Sequence, residues 1–143
     1  MTMRGAQGPH PEAMIVARIL IVDDEASDRL LEQRILERHG HEVCTAEDGV
    51  EALLSLRTKP VDLVITDLQM PDIHGLELIS VLRDRSPRPT VIVVSGTGPD
   101  QLAIAKAVGA QFTLTKPVYA EQLVAIVEQA LASRAPSAAG EPH

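Results

Sequence analysis

The clearest structural signal is the stretch ILIVDD at residues 19–24, in which four apolar residues are followed at once by two aspartates. A second apolar run, VIVV at residues 91–94, is followed by Ser95. Strands with one exposed face alternate apolar and polar residues, whereas parallel strands covered on both faces are apolar throughout. The two runs therefore predict central strands of a parallel sheet with helices on both sides.

Outward from these runs, strand and helix patterns alternate along the chain. Asp48 and Glu51 are spaced like a capping box, and Gly40 and Gly109 stand where helices should stop. The predicted strands are 18–22, 42–46, 61–66, 91–94 and 112–115, and the predicted helices are 26–39, 48–56, 75–85, 99–108 and 119–131.

Five β/α units are too few for a closed eight-stranded barrel, and right-handed crossovers leave a layered sandwich as the natural solution. The predicted fold class is therefore α/β. More specifically, we expect a flavodoxin-like (βα)5 three-layer sandwich with a parallel five-stranded sheet of order 2-1-3-4-5.

Length and composition narrow the range of functions. The chain has 143 residues, a net charge of -7, 45% hydrophobic residues, one Cys and no Trp. The acidic balance and the scarcity of aromatic residues argue against nucleic acid as a partner. A single Cys44 excludes an internal disulfide, and no apolar run is long enough to span a membrane. These features predict a cytoplasmic domain at 17–132 between disordered tails at 1–16 and 133–143.

Polar residues follow the predicted strands at the point where each ends. Asp23 and Asp24 follow the first strand, Asp67 the third, Ser95 the fourth and Lys116 the fifth. Because all carboxyl ends of a parallel sheet lie on one edge, these groups should meet there, where ligands of open α/β sheets bind.

Three carboxylates in one crevice repel one another, by about 4 kcal/mol for two like charges 4 Å apart at an effective dielectric constant of 20. A divalent cation such as Mg²⁺ removes that repulsion, and Lys116 and Ser95 can bind the oxygens of a phosphoryl group. Asp67 is the best candidate for a nucleophile, since the following loop, with Pro71 and Gly75, is expected to leave it accessible.

With these residues in place, the sequence resembles the receiver domain of two-component response regulators over residues 17–132. Each matching motif is weak alone, but their order and their positions at strand ends are highly specific. The motifs are ILIVDDE at 19–25, VITDLQMP at 64–71, GLEL at 75–78, VSG at 94–96, GA at 109–110 and KP at 116–117.

The resemblance implies that Asp67 accepts a phosphoryl group from a phosphohistidine on a sensor histidine kinase or a histidine phosphotransfer protein. It also implies Mg²⁺, bound directly by Asp24 and Asp67, through water by Asp23, and by the backbone carbonyl of Gln69.

The resemblance further implies that Lys116 contacts the phosphoryl group and that the hydroxyl of Ser95 moves onto it. The Lys116-Pro117 bond is usually cis in such domains. One position departs from the pattern, because Thr113 stands where receivers carry a Tyr or Phe. Phe112 precedes it and should point to the opposite side of the sheet.

The leading hypothesis is a stand-alone response regulator that binds a partner protein, possessing no enzymatic activity beyond slow self-catalysed phosphorylation and dephosphorylation. Because the length leaves no room for an output domain, this regulator is expected to act through a bound protein. The resemblance implies that its contact face comprises 99–108 and 112–131. The alternatives are a phosphorelay intermediate or phosphate sink, and a receiver that binds without phosphorylation. Cys44 is expected to be a small buried strand residue, and His39, His41 and His74 are expected at the surface or in loops.

Overall fold

The computed structural model of the protein describes residues 16–69, 75–96 and 98–140, with the backbone alone for 134–140. Strands and helices alternate throughout. The elements are β1 (Arg18–Val22), α1 (Ala26–Arg38), β2 (Glu42–Ala46), α2 (Gly49–Thr58), β3 (Leu63–Asp67), α3 (Gly75–Arg83), β4 (Thr90–Ser95), α4 (Pro99–Val108), β5 (Phe112–Thr115) and α5 (Ala120–Gly140).

The five strands form one parallel sheet of order β2-β1-β3-β4-β5. This confirms the predicted fold class and strand order. The register pairs Val22 with Thr66, Asp67 with Val94, and Ser95 with Thr115, so the carboxyl ends of β1, β3, β4 and β5 are level with one another.

The apolar runs of the central strands are divided between two core layers. Alternate side chains point to opposite faces of a sheet, so each run contributes to both layers. On the face covered by α2, α3 and α4 the core includes Leu20, Val22, Ala52, Leu56, Val64, Leu78, Ile79, Leu82, Val91, Val93 and Ala105. On the face covered by α1 and α5 it includes Ile19, Ile21, Ile35, Leu36, Leu63, Ile65, Ile92, Val94, Leu123, Val127, Ala130 and Leu131.

The side of α1 that faces the core is not the side that carries Leu30 and Leu31. Leu30 and Leu31 are 46% and 48% exposed, whereas Glu32, Ile35 and Leu36 are buried. Residues three and four apart lie on one side of a helix, so the buried side continues from Ile35 and Leu36 back to Glu32. A carboxylic acid therefore occupies a core position next to the carboxyl edge of the sheet.

The predicted helix ends are largely correct. The Asp48 side chain caps α2 by accepting a hydrogen bond from the amide of Glu51 at 2.8 Å. Gly40 and Gly109 follow α1 and α4 with φ angles of 92° and 148°, backbone conformations that residues other than glycine rarely adopt.

Helix α5 continues to Gly140, beyond the predicted domain end at residue 132, and the disordered tail at 133–143 stays a prediction. Extending an existing helix costs far less than starting one, and alanine is the best helix former, so the alanines after Leu131 favour this continuation, whereas Pro136 opposes it. The predicted tail at 1–15, His74 and residues 141–143 lie outside the described residues. Among the helices described, none combines the length and apolar character needed to cross a membrane.

Candidate functional site

Three aspartates meet at the carboxyl edge of the sheet. Asp23 and Asp24 directly follow β1, and Asp67 ends β3 beside it. One carboxylate oxygen from each lies within 4.8 Å of the other two. Asp23 and Asp67 are buried and Asp24 is exposed, so the cluster opens to solvent on one side. The three carboxylates therefore lie together at this edge, as the sequence predicts.

Lys116 contacts two of the three aspartates in the cluster. Its Nζ is 2.9 Å from Oδ2 of Asp67 and 3.5 Å from Oδ2 of Asp23. It is also 3.1 Å from Oδ2 of Asp28, a residue in the first turn of α1. A single ammonium group therefore partly neutralises the negative charge of three carboxylates, one following β1, one in α1 and one at the end of β3.

Backbone amides fix the orientation of both buried aspartates. The amide of Glu25 donates to Oδ1 of Asp23 at 2.9 Å, and the amide of Gln69 donates to Oδ1 of Asp67 at 3.1 Å. Each carboxylate therefore has one oxygen held by a backbone N–H and the other directed to Lys116.

Asp67 is less exposed than its position before a loop predicts. It is the last residue of β3, and its side chain is 8% exposed. The start of α3 packs directly on this strand end. A Cβ placed on Gly75 would lie 2.6 Å from the carbonyl oxygen of Asp67 and 2.5 Å from Cα of Leu68. The residue at this position must be glycine for α3 to approach so closely.

Ser95 ends β4 and is completely buried. Its carbonyl oxygen accepts a hydrogen bond from the amide of Lys116 at 3.0 Å, which ties the start of the segment after β5 to β4. The Lys116-Pro117 peptide bond is cis, as the resemblance implied. Ser95 and Lys116 thus both lie at the predicted edge.

The electrostatics of the site follow from burial and from these contacts. Burial raises the pKa of Asp23, an effect opposed by the Glu25 amide and by Lys116. Burial disfavours the charged form of Lys116, but hydrogen bonds with Asp67 and Asp28 outweigh it and hold the pKa of Lys116 above its usual value. Lys116 is therefore a permanent cation at neutral pH.

Sequence reasoning missed two acids of this site, Asp28 and Glu32. Glu32 is 2% exposed, and burial, reinforced by the nearby charge of Asp23, raises its pKa to about 8. Asp28 and Glu32 are four residues apart and precede Ile35 and Leu36 on the buried side of α1. The three-residue spacing between Glu32 and Ile35 could have indicated that both lie on the buried side of α1. Leu30 and Leu31, which are apolar but exposed, favoured a different side of the helix.

The aspartate cluster suits a hard divalent cation. Carboxylate oxygens are the protein ligands that Mg²⁺ prefers, and it commonly takes only one or two of them together with water. The oxygens of Asp23, Asp24 and Asp67 lie close enough together to share one ion, and the exposed Asp24 leaves a side for water. Gln69, the fourth predicted ligand, lies beside the cluster through its amide contact with Asp67.

The remaining predicted positions agree with the structure in part. Phe112 packs against the core layer under α1 and α5, while Thr113 pairs with Val93 of the other layer. Cys44 is half-buried against the core. His41 lies in the loop between α1 and β2, as predicted, and it is buried there, with its Nδ1 accepting a hydrogen bond from the amide of Ala17 at 3.1 Å.

A parallel five-stranded α/β sandwich with clustered aspartates and a lysine at its carboxyl edge defines a class of signalling domain. The family profile of the response regulator receiver domain matches residues 19–128. The chain belongs to this family, whose members act in two-component systems and take phosphoryl groups from histidine kinases.

Individual relatives show how this domain is used in different chains. The chain is 34% identical over 120 residues to Protein PilH of Pseudomonas aeruginosa, covering 82% of this chain and 99% of PilH. It is 37% identical over 123 residues to the transcriptional regulatory protein GlrR of Escherichia coli, covering 85% of this chain but only 28% of GlrR. Among solved structures, the chemotaxis response regulator CheY4 of Vibrio cholerae superimposes with a TM-score of 0.76 at 33% identity, covering 82% of this chain and 100% of that one.

Proposed function

We propose that the protein accepts a phosphoryl group on Asp67 and, once phosphorylated, changes its binding to a partner protein. The observation that carries the proposal is the position of Asp67 Oδ2, 2.9 Å from the Lys116 ammonium and within the cluster formed with Asp23 and Asp24. A carboxylate surrounded by other carboxylates repels a negatively charged phosphoryl donor unless cations neutralise the charge there. Lys116 supplies one such charge.

The transfer step follows from these contacts. An oxygen of Asp67 attacks the phosphorus of a phosphohistidine, the new P–O bond forms, and the P–N bond breaks, with the imidazole leaving as the neutral ring after taking up a proton from solvent water. The Gln69 amide holds the other Asp67 oxygen in place. Lys116 then donates to a phosphoryl oxygen, stabilising the charge that accumulates there.

Mg²⁺ bound by Asp23, Asp24, Asp67 and the Gln69 carbonyl would neutralise the phosphoryl oxygens during this transfer. The chain's own part is to hold the carboxylates in place. The Glu25 amide orients Asp23 at 2.9 Å, and the Arg29 guanidinium donates to the Asp23 carbonyl oxygen at 2.7 Å.

Ser95 is proposed to carry the signal away from the site. Its position at the end of β4, one residue beyond the partner of Asp67 in the sheet, allows a hydroxyl movement to reach α4 through the loop that follows. The proposed contact face is 99–108 with 112–131, where Ile104 and Tyr119 are 44% and 59% exposed. With Thr113 at the usual aromatic position, the readout rests on Ser95 and α4.

The donor is proposed to be a sensor histidine kinase or a histidine phosphotransfer protein in the cytoplasm. A second candidate function, a phosphorelay intermediate or phosphate sink, uses the same chemistry but passes the phosphoryl group onward. A similar segment, 34% identical and spanning 15% of that protein, occurs in the sensor kinase/phosphatase CqsS of Vibrio cholerae. In either function, chemistry by the protein itself is limited to slow phosphorylation and loss of its own phosphoryl group.

The test is incubation with acetyl phosphate and Mg²⁺ followed by intact mass spectrometry. Wild type should gain one phosphoryl group, and Asp67→Asn should gain none. Asp62→Asn is the matched control, because Asp62 precedes β3 at the opposite end of the strand. An unmodified wild type that nevertheless binds Mg²⁺ would refute the proposal.

The two candidate functions separate in a second experiment. Phosphorylated protein is mixed with histidine phosphotransfer proteins, and the phosphoryl group is followed by gel. Rapid transfer to the histidine favours the relay. A stable phosphorylated form whose partner binding changes favours the switch, and that binding should weaken in Tyr119→Ala.

A further inference from the structure

The ammonium group of Lys116 has three hydrogen-bond donors and three carboxylate neighbours. The nearest pair, with Asp67 at 2.9 Å, is the contact that phosphorylation of Asp67 would replace. The contact with Asp23 is the longest, at 3.5 Å. Asp28 accepts at 3.1 Å from a different element, the first turn of α1.

Asp28 differs from the other two neighbours in what else it does. Asp23 and Asp67 belong to the three-carboxylate cluster with Asp24, so a cation bound there would share their oxygens. Asp28 stands outside that cluster and its side chain is 42% exposed. Its contact with Lys116 uses none of the carboxylate oxygens that the cluster would give to a cation or that modification of Asp67 would change.

A lysine side chain needs such an anchor. Its four-carbon stem has about 2 kcal/mol of rotamer entropy, and the ammonium is a freely rotating donor. Lys116 begins the segment after β5 with its side chain 21% exposed, and the printed contacts of its ammonium are with carboxylates. A fixed carboxylate on α1 restricts it to positions within reach of Asp67.

We propose that Asp28 is a positioning residue that holds the Lys116 ammonium in place for phosphoryl transfer to Asp67. The inference rests on the proposed function and adds a residue to it. Asp28 acts through Lys116 and does not itself contact the phosphoryl group. Its loss should slow transfer at saturating donor and leave the donor concentration at half-maximal rate unchanged.

The size of the effect is set by the exposure of the ion pair. Partly exposed pairs of this kind contribute little, which corresponds to a slowing of about two- to fivefold in Asp28→Asn. Asparagine keeps the shape of the side chain and removes its charge. Glu37→Gln is the matched control, since Glu37 is exposed near the other end of α1 and loses the same charge.

A double-mutant cycle shows whether Asp28 acts through Lys116. Rates of phosphorylation by acetyl phosphate with Mg²⁺ are measured for wild type, Asp28→Asn, Lys116→Ala and the double variant. We expect the slowing caused by Asp28→Asn to disappear when Lys116 is already absent. An unchanged or faster rate in Asp28→Asn, or equal slowing in both backgrounds, overturns the inference.

A second measurement does not depend on phosphorylation. Reductive methylation of lysines without metal, read by peptide mass spectrometry, compares Lys116 with the exposed Lys106 in the same sample. An ammonium held by Asp28 reacts slowly, so the labelling of Lys116 relative to Lys106 should rise at least twofold in Asp28→Asn and stay constant in Glu37→Gln. Unchanged labelling overturns the inference.

The two measurements also separate the inference from the proposed function. If wild type is not phosphorylated on Asp67, the proposed function fails, whereas increased labelling of Lys116 in Asp28→Asn still shows that Asp28 positions the ammonium. If wild type is phosphorylated but the cycle and the labelling show no role for Asp28, the proposed function stands and the inference is wrong.

Discussion

Replacing Glu32 with glutamine tests the buried acid that α1 places beside the site. Glu32 is 2% exposed, and burial raises the pKa of its carboxyl from 4.5 to about 8. At neutral pH the folded protein therefore holds this carboxyl protonated, whereas the unfolded chain ionises it. Folding takes up a proton at this residue, and this contribution to stability is present at low pH and lost as pH rises.

The magnitude follows from the gap between the two pKa values. Between about pH 5.5 and pH 7 the unfolded carboxyl is ionised and the folded one is largely protonated. In that range one proton contributes about 1.4 kcal/mol per pH unit, so the free energy of unfolding should fall by about 2 kcal/mol because of Glu32 alone. Above pH 8 the folded carboxyl also ionises, and this loss ends. Glu32→Gln removes the titrating group and should remove that slope.

The assay is urea unfolding followed by far-UV circular dichroism, since the chain has no Trp to report by fluorescence. Stability is measured at several values between pH 5.5 and pH 8 with EDTA present, so that no metal neutralises the site. The control is Glu37→Gln, the same substitution at an exposed position of α1. Parallel pH profiles for wild type and Glu32→Gln would refute the assignment of a protonated Glu32.

Two other substitutions test the packing around the site. Gly75→Ala should destabilise the protein by about 1–3 kcal/mol, because the new Cβ meets backbone atoms of Asp67 and Leu68 at 2.6 and 2.5 Å. Urea unfolding measures that loss, and an unchanged midpoint would contradict it. His41 should make the protein sensitive to acid, since burial lowers its pKa from 6.5 and its Nδ1 accepts from Ala17. Its contribution is complete above pH 6.5 and is lost as pH falls through the lowered pKa, so His41→Asn should lose less stability than wild type between pH 7 and pH 5. Equal losses in the two proteins would show that His41 does not titrate in this way.

Much of the fold could be predicted because its signals are local. The run at residues 19–22 is apolar at every position, which only a strand covered on both faces requires. Asp48 and Gly109 mark helix ends through interactions with their immediate neighbours in the chain. The helical segment after Leu131 was missed because its Ser, Pro and Gly residues have the composition of a tail.

The positions of the site aspartates were predictable for a related reason. Once strands are parallel, every strand end lies on one edge, so Asp23, Asp67 and Lys116 meet whatever the details of packing. The loop position of His41 was predictable, but its burial against the amide of Ala17 was not, because Ala17 is remote along the chain.

The sequence alone therefore determined the architecture, the acidic edge and the lysine opposite it, because strand periodicity and strand ends are properties of short segments. Only the tertiary structure decided that Asp28 contacts Lys116 and that Glu32 is buried beside Asp23. Which side of α1 faces the sheet depends on how the whole helix packs, and Asp28 lies 88 residues from Lys116 along the chain. Contacts of that kind are set by the docking of separate elements.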